Sequence, residues 1–237
     1  MKLAVLGVGL IGGSIGLAAR DRDLAEVTGW VRNPDRAEEC LKVGAVDHMA
    51  ATVEEACADA DVIVCCASVG HLIEMGRKAL EAAPEGCVVT DVGSTKQELV
   101  EALGNDRRFI GGHPLAGAET AGVMNARADL YEGARWYLTP TSDSEGMLLD
   151  RLQKLVKGLG AKPVAIQPRC CWLKRFRNGP HSSRGISSVM VLMASASVHK
   201  FTKREAKTVP GAMTGENRRF SAVSGRNLTV CGNSFRR

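Results

Sequence analysis

A run of glycines directly after the first apolar segment constrains the fold of this chain more than any other feature. Residues 3–6 are apolar and predict a strand, residues 11–20 predict a helix, and the pattern G-x-G-x-x-G joins them. In this context Gly7 allows a tight turn, Gly9 lets the backbone approach a pyrophosphate, and Gly12 lets the helix pack closely on the strand. Free amides at the helix start hold phosphates. The predicted dinucleotide contacts are Gly7, Gly9, Leu10, Ile11 and Gly12.

Short apolar runs alternate with helical stretches over the first 168 residues, which is typical of βαβ units around a parallel sheet. The predicted strands are residues 3–6, 26–31, 61–67, 87–90, 108–110, 135–138 and 163–166. The predicted helices are residues 11–20, 34–43, 70–82, 95–103 and 144–158, with Asn33 as a cap before Pro34. We therefore predict an α/β fold with a Rossmann-type, doubly wound and mostly parallel sheet. It forms a dinucleotide-binding domain over residues 1–168.

The eight cysteines contain no C-x-x-C pair and no cysteine–histidine spacing typical of a metal site. Cys65–Cys66 and Cys170–Cys171 are adjacent pairs, which rarely form disulfides. We therefore expect no metal and a reduced, cytoplasmic protein. The apolar start up to Ala19 offers the alternative of a signal peptide, but five glycines weaken a helical segment of that kind. No run reaches the roughly 18 apolar residues of a membrane span.

Charge divides the chain at Pro168. Residues 169–237 hold 14 basic and two acidic residues, a net of +12, whereas residues 1–168 hold 17 basic and 24 acidic residues, a net of −7. The basic segment has no Asp, three Leu and no sustained periodicity. Such asymmetry marks a tail or a nucleic-acid-binding arm, and without aromatic interleaving the second is the minor alternative. We predict a basic tail of unknown structure that resembles a coding sequence read out of frame, after a frameshift near Pro168.

The second predicted strand lacks the acidic residue that would bind the ribose 2′-hydroxyl of NAD. Val31 stands about where that acid is expected, and Arg32 follows it. A guanidinium there can make charge-assisted bonds to a 2′-phosphate, which favours NADP, with NAD as the alternative. Arg32 could instead point into solvent.

Ser94 lies in the segment Thr90-Asp91-Val92-Gly93-Ser94-Thr95-Lys96, directly after a predicted strand. Ligands bind at the carboxyl edge of open α/β sheets, so the serine is placed to meet a substrate. The alternative is a Ser-Thr cap for the helix that follows.

His113 lies in the segment Gly111-Gly112-His113-Pro114-Leu115-Ala116-Gly117, which predicts a glycine-rich turn after a short apolar run. A histidine there can exchange a proton with a bound substrate. The alternative is that His113 is only a turn residue.

These segments together resemble the prephenate/arogenate dehydrogenase family of tyrosine biosynthesis. The matching motifs are Gly7-Val8-Gly9-Leu10-Ile11-Gly12-Gly13-Ser14, Asp91-Val92-Gly93-Ser94-Thr95-Lys96 and Gly112-His113-Pro114-Leu115-Ala116-Gly117-Ala118-Glu119, in the same order and spacing. The resemblance covers residues 1–168. It implies that Ser94 and His113 face the ring hydroxyl of the substrate as catalytic residues.

The activity implied by this resemblance is the NAD(P)-dependent oxidative decarboxylation of prephenate to 4-hydroxyphenylpyruvate, or of arogenate to tyrosine. Hydride leaves C4 of the substrate ring for the nicotinamide while neutral His113 takes the hydroxyl proton as general base and Ser94 orients the hydroxyl. Loss of carbon dioxide then aromatises the ring, so no metal is required. The residues leave open which of the two substrates is used.

The resemblance also implies a helical second domain that forms a dimer and supplies an arginine for the substrate carboxylates, and residues 169–237 do not match it. That segment contains Arg175, Arg177 and Arg184, but their surroundings do not match the family's pattern and we assign them no role. We expect the chain to bind nucleotide and to turn over prephenate poorly or not at all. Two alternatives stay open: another NADP-linked reductase built on the same domain, and a non-catalytic nucleotide-binding module with a basic tail.

Overall fold

A five-stranded parallel sheet forms the centre of the molecule in the computed structural model, which describes residues 1–166. Its strands are β1 (Lys2–Leu6), β2 (Glu26–Trp30), β3 (His48–Met49), β4 (Val62–Cys65) and β5 (Val88–Asp91), in the order β3-β2-β1-β4-β5. This is the strand order of the dinucleotide-binding fold. The predicted Rossmann-type parallel sheet is therefore confirmed.

Helices cover both faces of this sheet because successive residues of each strand point to opposite sides. They are α1 (Leu10–Asp21), α2 (Ala37–Lys42), α3 (Val53–Cys57), α4 (Leu72–Ala82), α5 (Gln97–Leu103) and α6 (Gly146–Gly158). Leu3 and Val5 pack into the core that includes residues of α1, α2 and α6, whereas Ala4 and Leu6 pack into the core that includes residues of α3, α4 and α5. The predicted double winding follows from these two cores.

A second, three-stranded sheet follows the first in the chain. Its strands are β6 (Gly111–Pro114), β7 (Arg135–Thr139) and β8 (Lys162–Ala165), with β6 antiparallel and β8 parallel to β7. The segment before β6 runs beside β5, where Val89 and Phe109 form a single bridge and Ile110 N donates to Val89 O over 2.9 Å. The start of β6 therefore lies against the end of β5.

The structure differs from the predicted elements at β6. Residues 108–110, predicted as a strand, make only the bridge at Phe109, and His113 lies in a strand where a turn was predicted. The cause is the pair of glycines before it. A Cβ on Gly111 would lie 2.5 Å from Thr139 Oγ1, and a Cβ on Gly112 would collide with Asp91 O. Glycine here permits close strand packing.

Other differences are at short elements and at helix ends. The sequence reasoning missed β3 and α3, because both are too short to show a hydrophobic periodicity. Thr52 and Glu55 match the S/T-x-x-E capping pattern and could have indicated the start of α3. Thr52 Oγ1 accepts from Glu55 N over 3.1 Å. The predicted helix at residues 34–43 is a 3-10 helix over Pro34–Arg36 followed by α2, and Asn33 caps it by accepting from Asp35 N, as predicted.

The predicted boundary at Pro168, the basic tail and its proposed frameshift lie outside the described residues, as do Arg175, Arg177 and Arg184. Within residues 1–166, no helix is both long and apolar enough to cross a bilayer.

Candidate active site

The loop between β1 and α1 has two glycines that the protein's own packing requires. Gly7 has φ 106°, and a Cβ there would collide with the carbonyl oxygen of Cys66. A Cβ on Gly12 would collide with the carbonyl oxygen of Gly7 and lie 2.9 Å from a methyl group of Val5. These positions hold the loop tightly between β1 and β4, as expected for the turn and for the helix–strand contact.

Gly9 is different, because within residues 1–166 no atom outside its immediate chain neighbours and its own helix lies within 4 Å of the position that its Cβ would take. It is the N-cap of α1, and no side chain caps the helix there. The first amides of an α-helix have no carbonyl partner within the helix, and these belong to Leu10, Ile11 and Gly12. The open space at Gly9 and these amides together fit a bound pyrophosphate.

Arg32 follows β2 and is exposed, with Val31 partly buried beside it. Among the described residues Arg32 makes no ion pair, whereas Arg36 of the neighbouring 3-10 helix is paired with Glu39 at 3.1 Å. The exposed guanidinium of Arg32 is therefore available to an anion at the end of β2.

The carboxyl ends of β1 and β4 mark the point where the chain reverses its direction of winding. The chain builds β2 and β3 on one side of β1, then crosses to build β4 and β5 on the other. Ligands bind in the crevice at such a point. The glycine loop lies on one side of this crevice, and the segments that follow β4 and β5 lie on the other.

Ser94 lies in the segment after β5 and is exposed. Helix α5 begins at Gln97 with Lys96 as its N-cap, and no side chain makes a capping bond there. The helix begins at Gln97, as the alternative of a Ser-Thr cap requires, but neither Ser94 nor Thr95 is the N-cap and neither makes a capping bond.

His113 lies on β6 opposite Tyr137 of β7 and is partly buried. Burial, and secondly the positive charge of Lys96, lower the pKa of His113 from 6.5 to about 4. The imidazole is therefore neutral at pH 7, and a neutral imidazole can accept a proton.

The Ser94 segment and the His113 strand meet at a buried carboxylate, that of Asp91. Asp91 Oδ2 accepts from Gly93 N over 2.7 Å and from Lys96 Nζ, and Asp91 Oδ1 accepts from Gly112 N over 3.0 Å. Burial raises the pKa of Asp91, while Lys96 and the two amides oppose that rise. Sequence reasoning gave no role to Asp91 or Lys96, although an acidic residue that ends an apolar strand was a usable signal.

Among residues 1–166, no three His, Cys, Asp or Glu side chains lie close enough together to hold a metal ion. The described cysteines are all free, and burial raises the thiol pKa of Cys57 and of Cys87 to about 12. Thiols with such pKa values are protonated at neutral pH and are poor nucleophiles.

Comparison with known proteins identifies the family. Residues 15–165 match the family model described as prephenate dehydrogenase, nucleotide-binding domain. The chain is 32% identical over 176 residues to the prephenate dehydrogenase of Bacillus subtilis, covering 71% of this chain and 47% of that protein. It is 33% identical over 177 residues to the prephenate dehydrogenase of Lactococcus lactis, covering 71% of this chain and 47% of that protein. The chain thus spans about half the length of these curated relatives.

Solved structures give the same result. The prephenate dehydrogenase of Aquifex aeolicus superposes with a TM-score of 0.67 at 29% identity, over 72% of this chain and 63% of that one. The arogenate dehydrogenase of Synechocystis superposes with a TM-score of 0.69 at 28% identity, over 72% of this chain and 61% of that one. The resemblance drawn from the glycine, serine and histidine motifs is confirmed, and the chain belongs to the prephenate dehydrogenase family, which it matches over the nucleotide-binding domain.

Proposed function

We propose that this chain serves the NADP-dependent oxidative decarboxylation of prephenate to 4-hydroxyphenylpyruvate, or of arogenate to tyrosine, in aromatic amino acid biosynthesis. One observation carries the proposal. The Asp91 carboxylate joins the Ser94 segment to the His113 strand, at the carboxyl edge of a sheet whose glycine loop is open to a pyrophosphate. A relative supports a nicotinamide cofactor and an aromatic ligand at this site, since the Aquifex aeolicus enzyme was solved in complex with hydroxyphenyl propionate and NAD+. It does not support NADP over NAD.

Ser94 and His113 act on the substrate's ring hydroxyl in this proposal. Neutral His113 accepts the hydroxyl proton as general base, and the exposed Ser94 hydroxyl orients the substrate oxygen. An oxidised nicotinamide nucleotide, held at Gly9 and the first amides of α1, would supply the acceptor for the hydride on C4. The carboxylate on C1 leaves as carbon dioxide and its bonding electrons complete the aromatic ring. The proton held by His113 then returns to the phenolate oxygen, so no water or metal is needed for the balance.

A direct assay tests the activity. Prephenate and arogenate are each incubated with NAD and NADP at enzyme concentrations comparable to substrate, so that slow turnover is detected, and products are separated by chromatography. We expect one of the two aromatic products to form together with reduced nucleotide. Reduction of a carbonyl or imine with neither substrate consumed would indicate another reductase, and nucleotide binding without turnover would indicate a binding module; either result contradicts the proposed activity.

The general-base role of His113 is tested by His113→Asn. We expect kcat to fall by about 10²- to 10⁴-fold, the usual scale for a lost acid–base group, with nucleotide Kd nearly unchanged. His48→Asn is the matched control, because His48 is exposed and lies on β3, the opposite edge of the sheet. A His113→Asn variant that keeps most of kcat would remove His113 from the mechanism.

The preference for NADP is a separate part of the proposal and rests on Val31 and Arg32. The double variant Val31→Asp with Arg32→Ala restores an acid for the ribose 2′-hydroxyl and removes the cation, so we expect it to bind NAD more tightly than NADP. Fluorescence titration gives both Kd values. Arg107→Ala, which removes an exposed arginine paired with Glu85, is the charge control. Equal affinities for the two nucleotides in the unmodified protein would contradict this preference.

A further inference from the structure

The Asp91 carboxylate uses both of its oxygens on backbone amides from two different segments. Gly93 directly precedes Ser94, and Gly112 directly precedes His113, so each amide lies one residue from a proposed catalytic side chain. The side chains of Asp91 and Lys96 are 1% and 0% exposed. Buried charges of this kind are costly unless paired and hydrogen-bonded, and here both conditions are met.

The hydrogen bonds of the Asp91 carboxylate lie just beyond the end of the backbone pairing between β5 and the segment leading to β6. Between β5 and the segment leading to β6, regular pairing is limited to the bridge at Val89 and Phe109. Beyond it, the bond from Gly112 N to the Asp91 carboxylate ties the two segments together nearest the site. The spacing of Ser94 and His113 therefore depends on a side chain.

Lys96 completes the link and brings its charge close to His113. Its aliphatic chain passes Gly111, where a Cβ would lie 3.3 Å from Lys96 Cδ, and its ammonium lies near Gly93. Within residues 1–166, the charge of Lys96 acts on His113, Asp91 accepts from the amide of the preceding residue Gly112, and Tyr137 lies opposite His113 on β7. The charge of Lys96 acts in the same direction as burial, and both favour neutral His113.

We propose that the buried Asp91–Lys96 pair is a positioning element of this site, which sets the spacing of Ser94 and His113. The proposal rests on the proposed function, since the spacing matters only if these two residues act on one substrate. Asp91 and Lys96 touch no substrate in this assignment and act through the two segments that they join.

The test is the double variant Asp91→Asn with Lys96→Met in the full chain. The two amides donate to different oxygens of Asp91, and asparagine replaces one of these oxygens by an NH2 donor, so one amide loses its acceptor. Methionine keeps the approximate length of the lysine chain without its charge. Removing both partners leaves no unpaired buried charge. We expect nucleotide Kd to stay unchanged, since the glycine loop is not touched.

Two readouts by NMR then require no substrate. We expect at least one of the Gly93 and Gly112 amides to exchange with solvent about tenfold faster or more, because asparagine leaves one of them without an acceptor. We expect the pKa of His113 to rise above about 4 because the Lys96 charge is removed, and to stay below 6.5 because burial, the larger cause of the shift, remains. The control variant, Glu74→Gln with Lys78→Met, removes an exposed ion pair on α4 and should change neither readout.

The outcomes are separable. Unchanged amide exchange and unchanged His113 titration in the double variant would overturn the proposal, as would exchange that accelerates equally in β1 and β4. If the variant does not fold, amide exchange is measured on the unmodified protein. Fast exchange of its Gly93 and Gly112 amides would also overturn the proposal. Both readouts could change while the unmodified chain turns over neither prephenate nor arogenate. That result would support the structural role of the Asp91–Lys96 pair and contradict the proposed reaction.

Discussion

His113 makes the stability of this domain depend on pH, and the size of the effect can be worked out. The pKa of His113 is about 4 in the folded protein against 6.5 for an ordinary histidine. The unfolded chain therefore binds this proton more readily than the folded one does. Stability must fall as pH decreases below 6.5, and the loss is complete below about 4, where both states are protonated.

The full difference corresponds to about 3 kcal/mol, since one pKa unit is worth about 1.4 kcal/mol. Between pH 7 and pH 5 the proton-binding equilibria give about 2 kcal/mol of that loss. The variant His113→Gln keeps a polar side chain of similar size and cannot take up the proton. It should therefore lose about 2 kcal/mol less stability than the unmodified protein over the same interval.

Urea denaturation at pH 7 and pH 5 measures this difference between the two proteins, because the carboxylates common to both cancel. His71→Gln gives the reference for losing an imidazole that lies at the surface. The reasoning is refuted if the unmodified protein and His113→Gln lose the same unfolding free energy between the two pH values. Such a result would mean that the His113 imidazole is hydrated and not held apart from water.

Two further predictions concern packing on and near α1. Gly9→Ala should leave the unfolding free energy nearly unchanged, since its Cβ would meet nothing within 4 Å from other parts of the described chain. It should raise nucleotide Kd about tenfold or more by crowding the pyrophosphate. In contrast, Gly16→Ala places a Cβ against the carbonyl of Ala45 and should destabilise by about 1–3 kcal/mol in urea, so equal stability of the two variants would contradict the packing. Tyr131→Phe removes a 2.7 Å bond to Ile11 O and should cost about 1 kcal/mol; no change in the urea midpoint would mean that this bond contributes nothing.

The sequence by itself determined the nucleotide-binding half of the fold, because its signals are local. Apolar residues at β1 and glycines 7, 9 and 12 are close neighbours in the chain, and their order along a strand, a turn and a helix carries the geometry directly. The adjacent residues Asn33 and Pro34 likewise indicated the start of a helix. Ser94 and His113 were found through their motifs, and their roles remain proposals.

Only the tertiary structure decided how those two residues are brought together. Nothing local shows that His113 lies on a strand, since that follows from glycines 111 and 112 packing closely against Thr139 and Asp91. The bond from Gly112 N to Asp91 joins residues 21 positions apart, and Lys96 is buried because that carboxylate is present. Such contacts depend on which strands become neighbours in space, a choice made by the folded core as a whole.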